Sequence, residues 1–432
     1  MGTTLRGEAR VSQARGWQWP IHYAWVVVGL VSLAIFVASG LRGSFGVFLK
    51  PLEAEFGWDR AATSGIAALS MLAYGAAQPL VGRLLDSWGP RRVLTGSLLL
   101  LGLGAAATAA GQSLWQIYLS YGIVVSLASG GPAPVSTSAI AARWFHTHRG
   151  LVIGLGMSGM AAGQLILIPA TMALIVACGW RAGYAVLAAL VCLVVAPLIW
   201  LLVRDDPAER HLAPFGARPG PDRAGPSRAC ADWDSRAALR SGAFWLLALS
   251  FFVCGYSTNG LVGTHLVPHA VEHGVAELAA ASALGLMGAV NVLGAIAAGY
   301  VCDRYGRRVP LALTYALRGG SLFWLMAVRD PAALHVFAVL FGLTYIATVP
   351  PTAALIADCF GRRSAAEIFG WIFVAHQLGA ALGAGLGGWL YQLTGDYQVA
   401  FLSGGLTCLL AAASVLALRL PGAQRAPAPA TP

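Results

Sequence analysis

The chain contains the stretch Gly82-Arg-Leu-Leu-Asp86-Ser-Trp-Gly89-Pro-Arg91-Arg92, and a related stretch follows later as Gly299-Tyr-Val-Cys-Asp303-Arg304-Tyr-Gly306-Arg307-Arg308. Gly82, Asp86, Gly89 and Arg91 match Gly299, Asp303, Gly306 and Arg308 at a single offset of 217 residues. Each copy stands at the end of a long apolar segment, the second in its half of the chain. Four matches at one offset indicate a parallel duplication, so the two halves are expected to fold alike.

Around these copies the chain is too apolar for a soluble domain. Of its 432 residues 57% are hydrophobic and 11% are charged, with a mean hydropathy of +0.69, whereas soluble domains carry about 25% charged residues. A helix that crosses a bilayer needs about 20 mostly apolar residues. Apolar runs near this length predict twelve spans, at 23–48, 61–82, 93–111, 115–140, 150–177, 181–203, 242–266, 278–301, 310–328, 332–357, 365–393 and 398–418.

The segment 204–240 interrupts this pattern, because it is rich in Pro, Gly and Arg and has no apolar periodicity. It predicts a linker between an N-terminal bundle at 1–203 and a C-terminal bundle, with a short tail, at 241–432. The predicted fold is therefore an all-α integral membrane protein of about twelve transmembrane helices, in two six-helix bundles related by an internal repeat.

Positive charge predicts the orientation of the chain. If both termini are cytoplasmic, 22 of the 28 Lys and Arg residues fall in inner segments, including the linker, and only four fall in outer loops. Basic residues concentrate in cytoplasmic loops, so we expect a multi-pass protein of the cell inner membrane with both termini inside. The net charge of +10 is then explained by residues that flank helices, and no nucleic-acid partner is expected.

The repeated stretch resembles the signature of the major facilitator superfamily, a G-x-x-x-D-R-x-G-R-R-like run between helices 2 and 3. The first copy has Ser87 and Pro90 where the signature has Arg. The resemblance implies a transporter whose two bundles rock about a central site. A narrower resemblance, to bacterial members of the monocarboxylate transporter and oxalate/formate antiporter group, rests on the runs at 46–51, 143–150 and 179–181. The helix-8 positions at which that group often carries an acidic residue and an arginine are Asn291 and Ala295 here.

The repeated stretch has a physical interpretation as a gate. Glycine lets two helices approach closely, and an aspartate can accept hydrogen bonds from a helix N-terminus or meet an arginine. Contacts of this kind, formed only when the cytoplasmic side is shut, would favour one of two states; the alternative is a positively charged turn that only sets topology. The predicted gating residues are Gly82, Asp86, Gly89, Arg91, Arg92, Gly299, Asp303, Arg304, Gly306, Arg307 and Arg308.

Polar residues at membrane depth are costly and therefore mark candidate substrate contacts. Arg42 in span 1 pairs by the repeat with Asn259 in span 7, and Tyr74 in span 2 pairs with Asn291 in span 8. The resemblance implies that helices 1, 2, 7 and 8 border the central cavity. Arg42 could clamp a carboxylate, or its side chain could reach outward to the membrane surface.

Further candidates lie in the second half of the chain. His376 and Gln377 stand near the middle of span 11, and a histidine there can change charge near neutral pH. Tyr256 is a plausible lining residue. Arg318 lies in span 9 and is interpreted mainly as structural, and His265 as interfacial. The remaining secondary candidates are Gln78, Gln164 and Tyr345.

Several absences narrow the function. No Asp or Glu falls in the middle of a predicted span, no phosphate-binding loop or nucleophile–base arrangement appears, and the seven cysteines lack metal-binding spacing. We therefore predict no enzyme, no cofactor and no metal site. The predicted function is transport of a small organic solute, with an organic anion such as a monocarboxylate favoured, together with a proton or a counter-anion. The chain is expected to act as a monomer in the lipid bilayer. Two alternatives remain: efflux of hydrophobic or drug-like compounds, and a transporter-like membrane sensor or scaffold.

Overall fold

The computed structural model describes residues 22–58, 60–217, 233–361 and 363–418, which form twelve helical rods. In the first half these are α1 (Tyr23–Gly43, continued by Phe45–Phe56), α2 (Arg60–Trp88), α3 (Pro90–Ala109), α4 (Leu114–Ala128, then Pro134–Trp144), α5 (149–178) and α6 (180–202). In the second half they are α7 (Gly242–Glu272), α8 (Glu277–Tyr305), α9 (Arg308–Leu325), α10 (Pro331–Tyr345, then Val349–Phe360), α11 (Ala365–Thr394) and α12 (Gln398–Ala417).

The predicted number of helices is confirmed. Within the described residues, nine continuous helical stretches are long and apolar enough to cross a membrane. One of them, Arg149–Leu202, holds both α5 and α6, because Gly179 has φ 81° and breaks the helix. The shorter or interrupted rods α4 and α9 complete the twelve.

Local sequence signals explain where several rods begin and end. Gly89 and Gly306, which match each other in the repeat, have φ of 86° and 83°, and such values suit a residue without a Cβ atom. They form the turns from α2 to α3 and from α8 to α9. The side chain of Asp330 caps α10 by accepting the N–H of Ala333 at 2.9 Å, with Pro331 at the first helical position, where proline is favoured.

The main differences from the predicted spans are in α1, α4 and α10. α1 continues through Pro51 to Phe56, well past the predicted end at residue 48. α4 is interrupted at 129–133, and α10 at 346–348. In both α4 and α10 the helix restarts at prolines, Pro134 and Pro350-Pro351 respectively, because proline fits the first turn of a helix and not its interior.

The rods form two bundles that meet along two pairs of helices. α2 packs against α11, and α5 packs against α8, so each pair joins one helix of each half. Large apolar side chains such as Val176 and Leu193 are 76% and 74% exposed on the outside. A surface of this kind suits lipid and not water.

Residues 204–217 of the 204–240 segment are attached to the first bundle, whereas Trp233 donates its N–H to the carbonyl of Phe360 in the second bundle at 2.9 Å. Phe215 donates its N–H to the carbonyl of Trp144 at 2.8 Å and accepts from the N–H of His146 at 2.9 Å. Its ring lies 5.6 Å from the rings of both Trp25 and Phe145. The terminal arginines and residues 218–232, on which part of the predicted orientation depends, lie outside the described residues.

Candidate functional site

The two copies of the repeated stretch each join one bundle to the other. In the first motif contact, Asp86 of α2 accepts a hydrogen bond from the N–H of Glu367, in the first turn of α11, at 3.0 Å. In the second motif contact, Asp303 of α8 accepts from the N–H groups of Gly150 and Leu151, in the first turn of α5, both at 2.9 Å. Glu367 and Gly150 are themselves related by the 217-residue offset. Each aspartate therefore caps the N-terminus of a helix in the opposite bundle.

The first glycine of each motif allows this approach. A Cβ atom on Gly82 would collide with the backbone of Ala366 and Glu367, and one on Gly299 would collide with the backbone of Gly150 and Leu151. One turn further along α5 and α11, Gly154 and Gly370 face the backbone of α8 and α2 in the same way. The bundles therefore touch backbone to backbone at this end of the molecule.

Arginines of each motif bond to other parts of the same bundle. Arg91 donates to the carbonyl of Trp200 near the end of α6, and Arg308 donates to the carbonyl of Leu418 after α12, both at 2.8 Å. Arg307 forms an ion pair with Asp358 of α10. The two remaining motif arginines make fewer contacts. Arg304 donates to the hydroxyl of Tyr300 in its own helix at 3.2 Å, and Arg92 is exposed.

A third aspartate caps a helix within one bundle. Asp205, just after α6, accepts the N–H of Arg91 in the first turn of α3 at 2.7 Å. Burial of Asp205 raises the pKa of its carboxyl group above the usual value, although the N–H of Arg91 opposes the shift. Asp205 repeats the chemistry of the motif aspartates without joining the two bundles.

A cavity of about 500 Å³ lies between the bundles, away from the motif contacts. Tyr74, on the cavity wall, precedes Asp86 by twelve residues along α2, a separation of about 18 Å at the helical rise of 1.5 Å per residue. The cavity is lined by α1, α2, α4 and α5 from the first half and by α7, α8, α10 and α11 from the second. Of the predicted residues, it collects Arg42, Tyr74, Gln164, Asn259, Asn291, Tyr345, His376 and Gln377.

Arg42 supplies the cationic side of the cavity. Its guanidinium carbon lies 4.1 Å from the ring centre of Tyr74, and among the described residues no carboxylate forms a salt bridge with it. Tyr121 of α4 donates its hydroxyl to the backbone carbonyl of Arg42 at 2.6 Å. The guanidinium therefore faces the cavity with an aromatic ring beside it and no anionic partner in the described chain.

The opposite wall is polar and mostly neutral. Tyr345 donates its hydroxyl to the side-chain oxygen of Asn259 at 2.7 Å, and Asn291 accepts the N–H of Ile346 at 3.0 Å. His376 is 8% exposed, its Nδ1 lies 3.0 Å from the side-chain oxygen of Gln377, and its ring stacks on Phe373. This wall offers amide, hydroxyl and imidazole groups to a solute.

Other predicted residues lie away from the cavity. The hydroxyl of Tyr256 pairs with Ser403 of α12 at 2.7 Å, and the amide of Gln78 donates to the carbonyl of Tyr74 at 3.2 Å. His265 is buried, and its Nε2 lies 3.0 Å from the carbonyl of Ala384 in α11. Arg318 is fully buried and donates to the carbonyls of Thr344 and Tyr345, and to the sulfur of Cys254 at 3.2 Å. Tyr256 and His265 thus join helices, and Arg318 braces the break in α10.

Sequence reasoning missed several residues of the cavity. Tyr121, Ser70 and Thr258 line it, and Phe251 and Phe373 cover part of its wall. The rule that selected Tyr74, a polar group at membrane depth, also applies to Tyr121 and would have found it. Thr258 and Asn259 belong to a π-helical turn of α7, Tyr256–Val262, and turns of this kind often occur at functional sites.

Comparisons with known proteins agree with this architecture. The family model for the Major Facilitator Superfamily matches residues 31–317 and 266–432. Monocarboxylate transporter 11 of Homo sapiens is 28% identical over 426 residues, which cover 93% of this chain and 83% of that protein. The uncharacterized MFS-type transporter YcxA of Bacillus subtilis (strain 168) is 25% identical over 379 residues, 86% of this chain and 90% of that protein.

Among solved structures, FucP in the outward conformation superposes with a TM-score of 0.72 at 14% identity, covering 92% of this chain and 100% of that chain. The proton:xylose symporter XylE gives a TM-score of 0.67 at 15% identity, covering 92% of this chain and 96% of that chain. At these identities the similarity bears on the fold alone.

Proposed function

The chain belongs to the major facilitator superfamily of membrane transporters, and from this premise we propose that it carries a small organic anion by alternating access, with Arg42 as the counter-charge. The observation that carries the proposal is the guanidinium of Arg42 in the cavity, without an anionic partner among the described residues. An unpaired arginine in the middle of a membrane helix costs about 2.5–3.5 kcal/mol on insertion scales. A bound anion would offset that cost.

The chemistry of the cavity favours a carboxylate with a short organic body. A planar guanidinium can bind a carboxylate through two parallel hydrogen bonds. Asn259, Asn291 and Gln377 offer amide groups on the opposite wall, and Phe251 and Phe373 offer apolar surface. The printed name of the human relative, a monocarboxylate transporter, supports the same class. In this chain Arg42 on α1 would take the place of the α8 arginine of that group, since α8 has Ala295 there.

Binding measurements on Arg42 variants test this proposal. The parent is screened in detergent by thermal shift against carboxylates, amino acids, sugars and drug-like compounds, and a carboxylate is expected to bind. Arg42→Lys keeps the charge but loses the planar fork, so it should weaken binding partially, whereas Arg42→Gln should abolish it. The matched control is Arg210→Gln, since Arg210 stacks on Tyr23 at 4.2 Å, outside the cavity, and should leave binding unchanged.

Two outcomes would count against the proposal. If Arg42→Gln binds the carboxylate as tightly as the parent, Arg42 only anchors α1 and the anionic substrate loses its main support. If the parent binds only hydrophobic or drug-like compounds, efflux of such compounds becomes the better function. A membrane sensor or scaffold would show no solute binding and no transport in vesicles.

The proposed cycle uses the two bundles as moving units. Residues 1–203 and 241–432 would rock about the cavity while 204–240 tethers them on the cytoplasmic side. The excess of positive charge on the segments beside the motif contacts supports a cytoplasmic position for that end, and hence an inner-membrane protein with both termini inside. The motif contacts would then shut the cytoplasmic side, and the cavity would take up solute from the outside.

We further propose that any proton coupling runs through His376. Its imidazole lines the cavity and faces Phe251, Phe373, Gln377 and the thiol of Cys254, and among the described residues no Asp or Glu lines that cavity. If uptake into vesicles depends on pH, His376→Gln should flatten that dependence, because the substitution removes an imidazole that lines the cavity. His265→Gln should leave the pH dependence unchanged, because His265 lies outside the cavity. A profile unchanged by His376→Gln would exclude this residue and leave exchange for a counter-anion.

A further inference from the structure

We propose that the end of α7 and the turn between α11 and α12 form a binding site for a divalent transition-metal ion such as Zn²⁺, held by His269, His273 and Asp396. One possible ligand atom from each residue lies within 4.8 Å of the other two. The two histidines are four residues apart at the C-terminal end of α7, and this spacing places two imidazoles on one side of a helix, as in known zinc sites. The site lies at the end of the molecule opposite the motif contacts.

The ring of His269 is buried with both nitrogens available to bind a metal. Its side chain is 1% exposed, and within the described chain neither ring nitrogen makes a hydrogen bond of normal geometry. The carbonyl of Leu325 approaches the ring without forming such a bond, and the ring of Phe401 lies 5.0 Å away at 77°. A buried polar group without a partner is costly. A metal bound to one of the nitrogens would remove that cost.

His273 and Asp396 are oriented to complete the coordination. Nδ1 of His273 lies 2.8 Å from the carbonyl of His269, so it carries the proton, and Nε2 is left with a lone pair in the neutral ring. That nitrogen lies 3.9 Å from Oδ2 of Asp396. The other carboxylate oxygen of Asp396 accepts the N–H of Gln398 at 2.8 Å, which holds the carboxylate in place. Partner bonds of this kind orient the ligands of metal sites.

The surroundings suit a cation. Glu272 lies beside His273 in sequence and faces Tyr391 and Tyr397, so it adds negative charge near the opening. Arg329 is close enough to His269 for electrostatic interaction. Its guanidinium is engaged by the carbonyls of Met326 and Val328 at 3.0 and 2.9 Å. Side-chain access runs past His273 and Asp396, which are 17% and 32% exposed.

The donor set selects the class of metal. Two imidazole nitrogens and one carboxylate suit zinc and its transition-metal neighbours, whereas calcium and magnesium prefer oxygen ligands alone. Zinc bonds of about 2.0–2.1 Å place neighbouring ligand atoms of a tetrahedral site about 3.4 Å apart. The most widely spaced ligand atoms, within 4.8 Å of one another, therefore need to close by up to about 1.4 Å to reach the spacing set by such bonds, which rotation of His273 and Asp396 can supply. All three ligands belong to the second bundle, so the metal would brace that bundle and leave the two bundles free to move.

A zinc titration of the full-length protein in detergent tests the site, after any polyhistidine tag and bound metal have been removed. The parent is expected to bind one Zn²⁺ ion at this site, and its melting temperature should rise by roughly 3–6 °C at a hundredfold excess over the dissociation constant. Asp396→Asn retains an acceptor for Gln398 but loses the charge, and His273→Gln loses the ring nitrogen. Each variant should bind zinc at least tenfold more weakly and lose most of the thermal shift.

His265→Gln serves as the control, because Nε2 of His265 is already engaged by the carbonyl of Ala384. This variant should retain the zinc affinity of the parent. The proposal is overturned if the parent shows no saturable zinc binding that Asp396→Asn weakens. It is also overturned if Asp396→Asn lowers the melting temperature equally with and without zinc, since His273 and Asp396 would then form only an ion pair. Neither result depends on which solute the cavity binds.

Discussion

The two motif contacts have the same plan but differ in the polar groups around the aspartate. Asp303 receives two N–H bonds from α5, and the same motif carries the ion pair of Arg307 with Asp358. Asp86 receives the N–H of Glu367 at 3.0 Å, with the backbone of Ala366 also close. The carboxylate of Glu367 repels Asp86, and the guanidinium of Arg143 attracts it. The repeat thus preserves the contact between bundles, and we expect the second motif contact, with two N–H bonds of normal geometry against one, to be the stronger.

Ser87 and Pro90 explain part of that difference. They stand where the second copy has Arg304 and Arg307. The hydroxyl of Ser87 bonds to the carbonyl of Arg83 in its own helix at 2.8 Å, and Pro90 only starts α3. The first copy therefore has no side chain equivalent to Arg307 to reach across to a neighbouring rod. Duplicated motifs can keep a shared backbone contact while their electrostatic support diverges.

The largest effect is expected from filling the backbone contact. Gly299→Ala and Gly82→Ala place a methyl group against the backbone of the opposite bundle, and overpacking of this kind costs about 1–3 kcal/mol. Either change should raise labelling of a reporter cysteine, placed on the motif side in a cysteine-free background, by tenfold or more. The control is Gly285→Ala, also in α8, where a Cβ atom meets nothing within 4 Å. Equal labelling in all three variants would mean that the glycines do not hold that side shut.

A smaller and unequal effect is expected from the aspartates. Asparagine keeps one acceptor but loses the charge, and hydrogen bonds to charged groups contribute about 1.5–3 kcal/mol against about 1 kcal/mol for neutral ones. Asp303→Asn should therefore increase accessibility on the motif side more than Asp86→Asn, with both proteins still inserted in the membrane. Labelling of the same reporter cysteine measures this accessibility. If the order is reversed, the number of N–H bonds does not set the strength of the two contacts, and unchanged accessibility in both would leave the motif as a topology signal.

The smallest effect is expected from Asp205, which caps α3 within a single bundle. Asp205→Asn should leave accessibility unchanged. Because burial raises the pKa of Asp205, folding favours its protonated form, and the stability contributed by this group is lost as the pH rises through the folded pKa. The variant should therefore melt at or above the parent temperature at pH 7 and together with the parent at low pH. A variant that melts well below the parent at pH 7 would show that the negative charge is needed to cap α3.

The sequence predicted the features that depend on periodicity and repetition. Apolar runs placed the rods, and the 217-residue offset placed Asp86 and Asp303 at equivalent positions. The same offset related Arg42 to Asn259 and Tyr74 to Asn291. All four residues line one cavity, because a duplicated fold puts equivalent positions on facing walls.

The features that were missed depend on irregular backbone and on partners distant in sequence. The π-helical turn of α7 changes which residues face inward, so Asn259 lines the cavity while Tyr256 turns to Ser403. Arg318 can donate to the carbonyls of Thr344 and Tyr345 only because α10 breaks after Tyr345. Neither the π-helical turn of α7 nor the break in α10 can be recognised from the hydropathy of the sequence.

The glycine contacts also affect how fast the two bundles can join and separate. Where Gly82 and Gly299 meet the facing backbone, no side chain has to settle into a single rotamer, so forming the contact there avoids the conformational entropy that larger residues lose on being buried. Separation likewise requires no side chain to unthread from a pocket. A surface built in this way can be joined and parted many times with little reorganisation, so other steps are expected to limit the rate of the cycle.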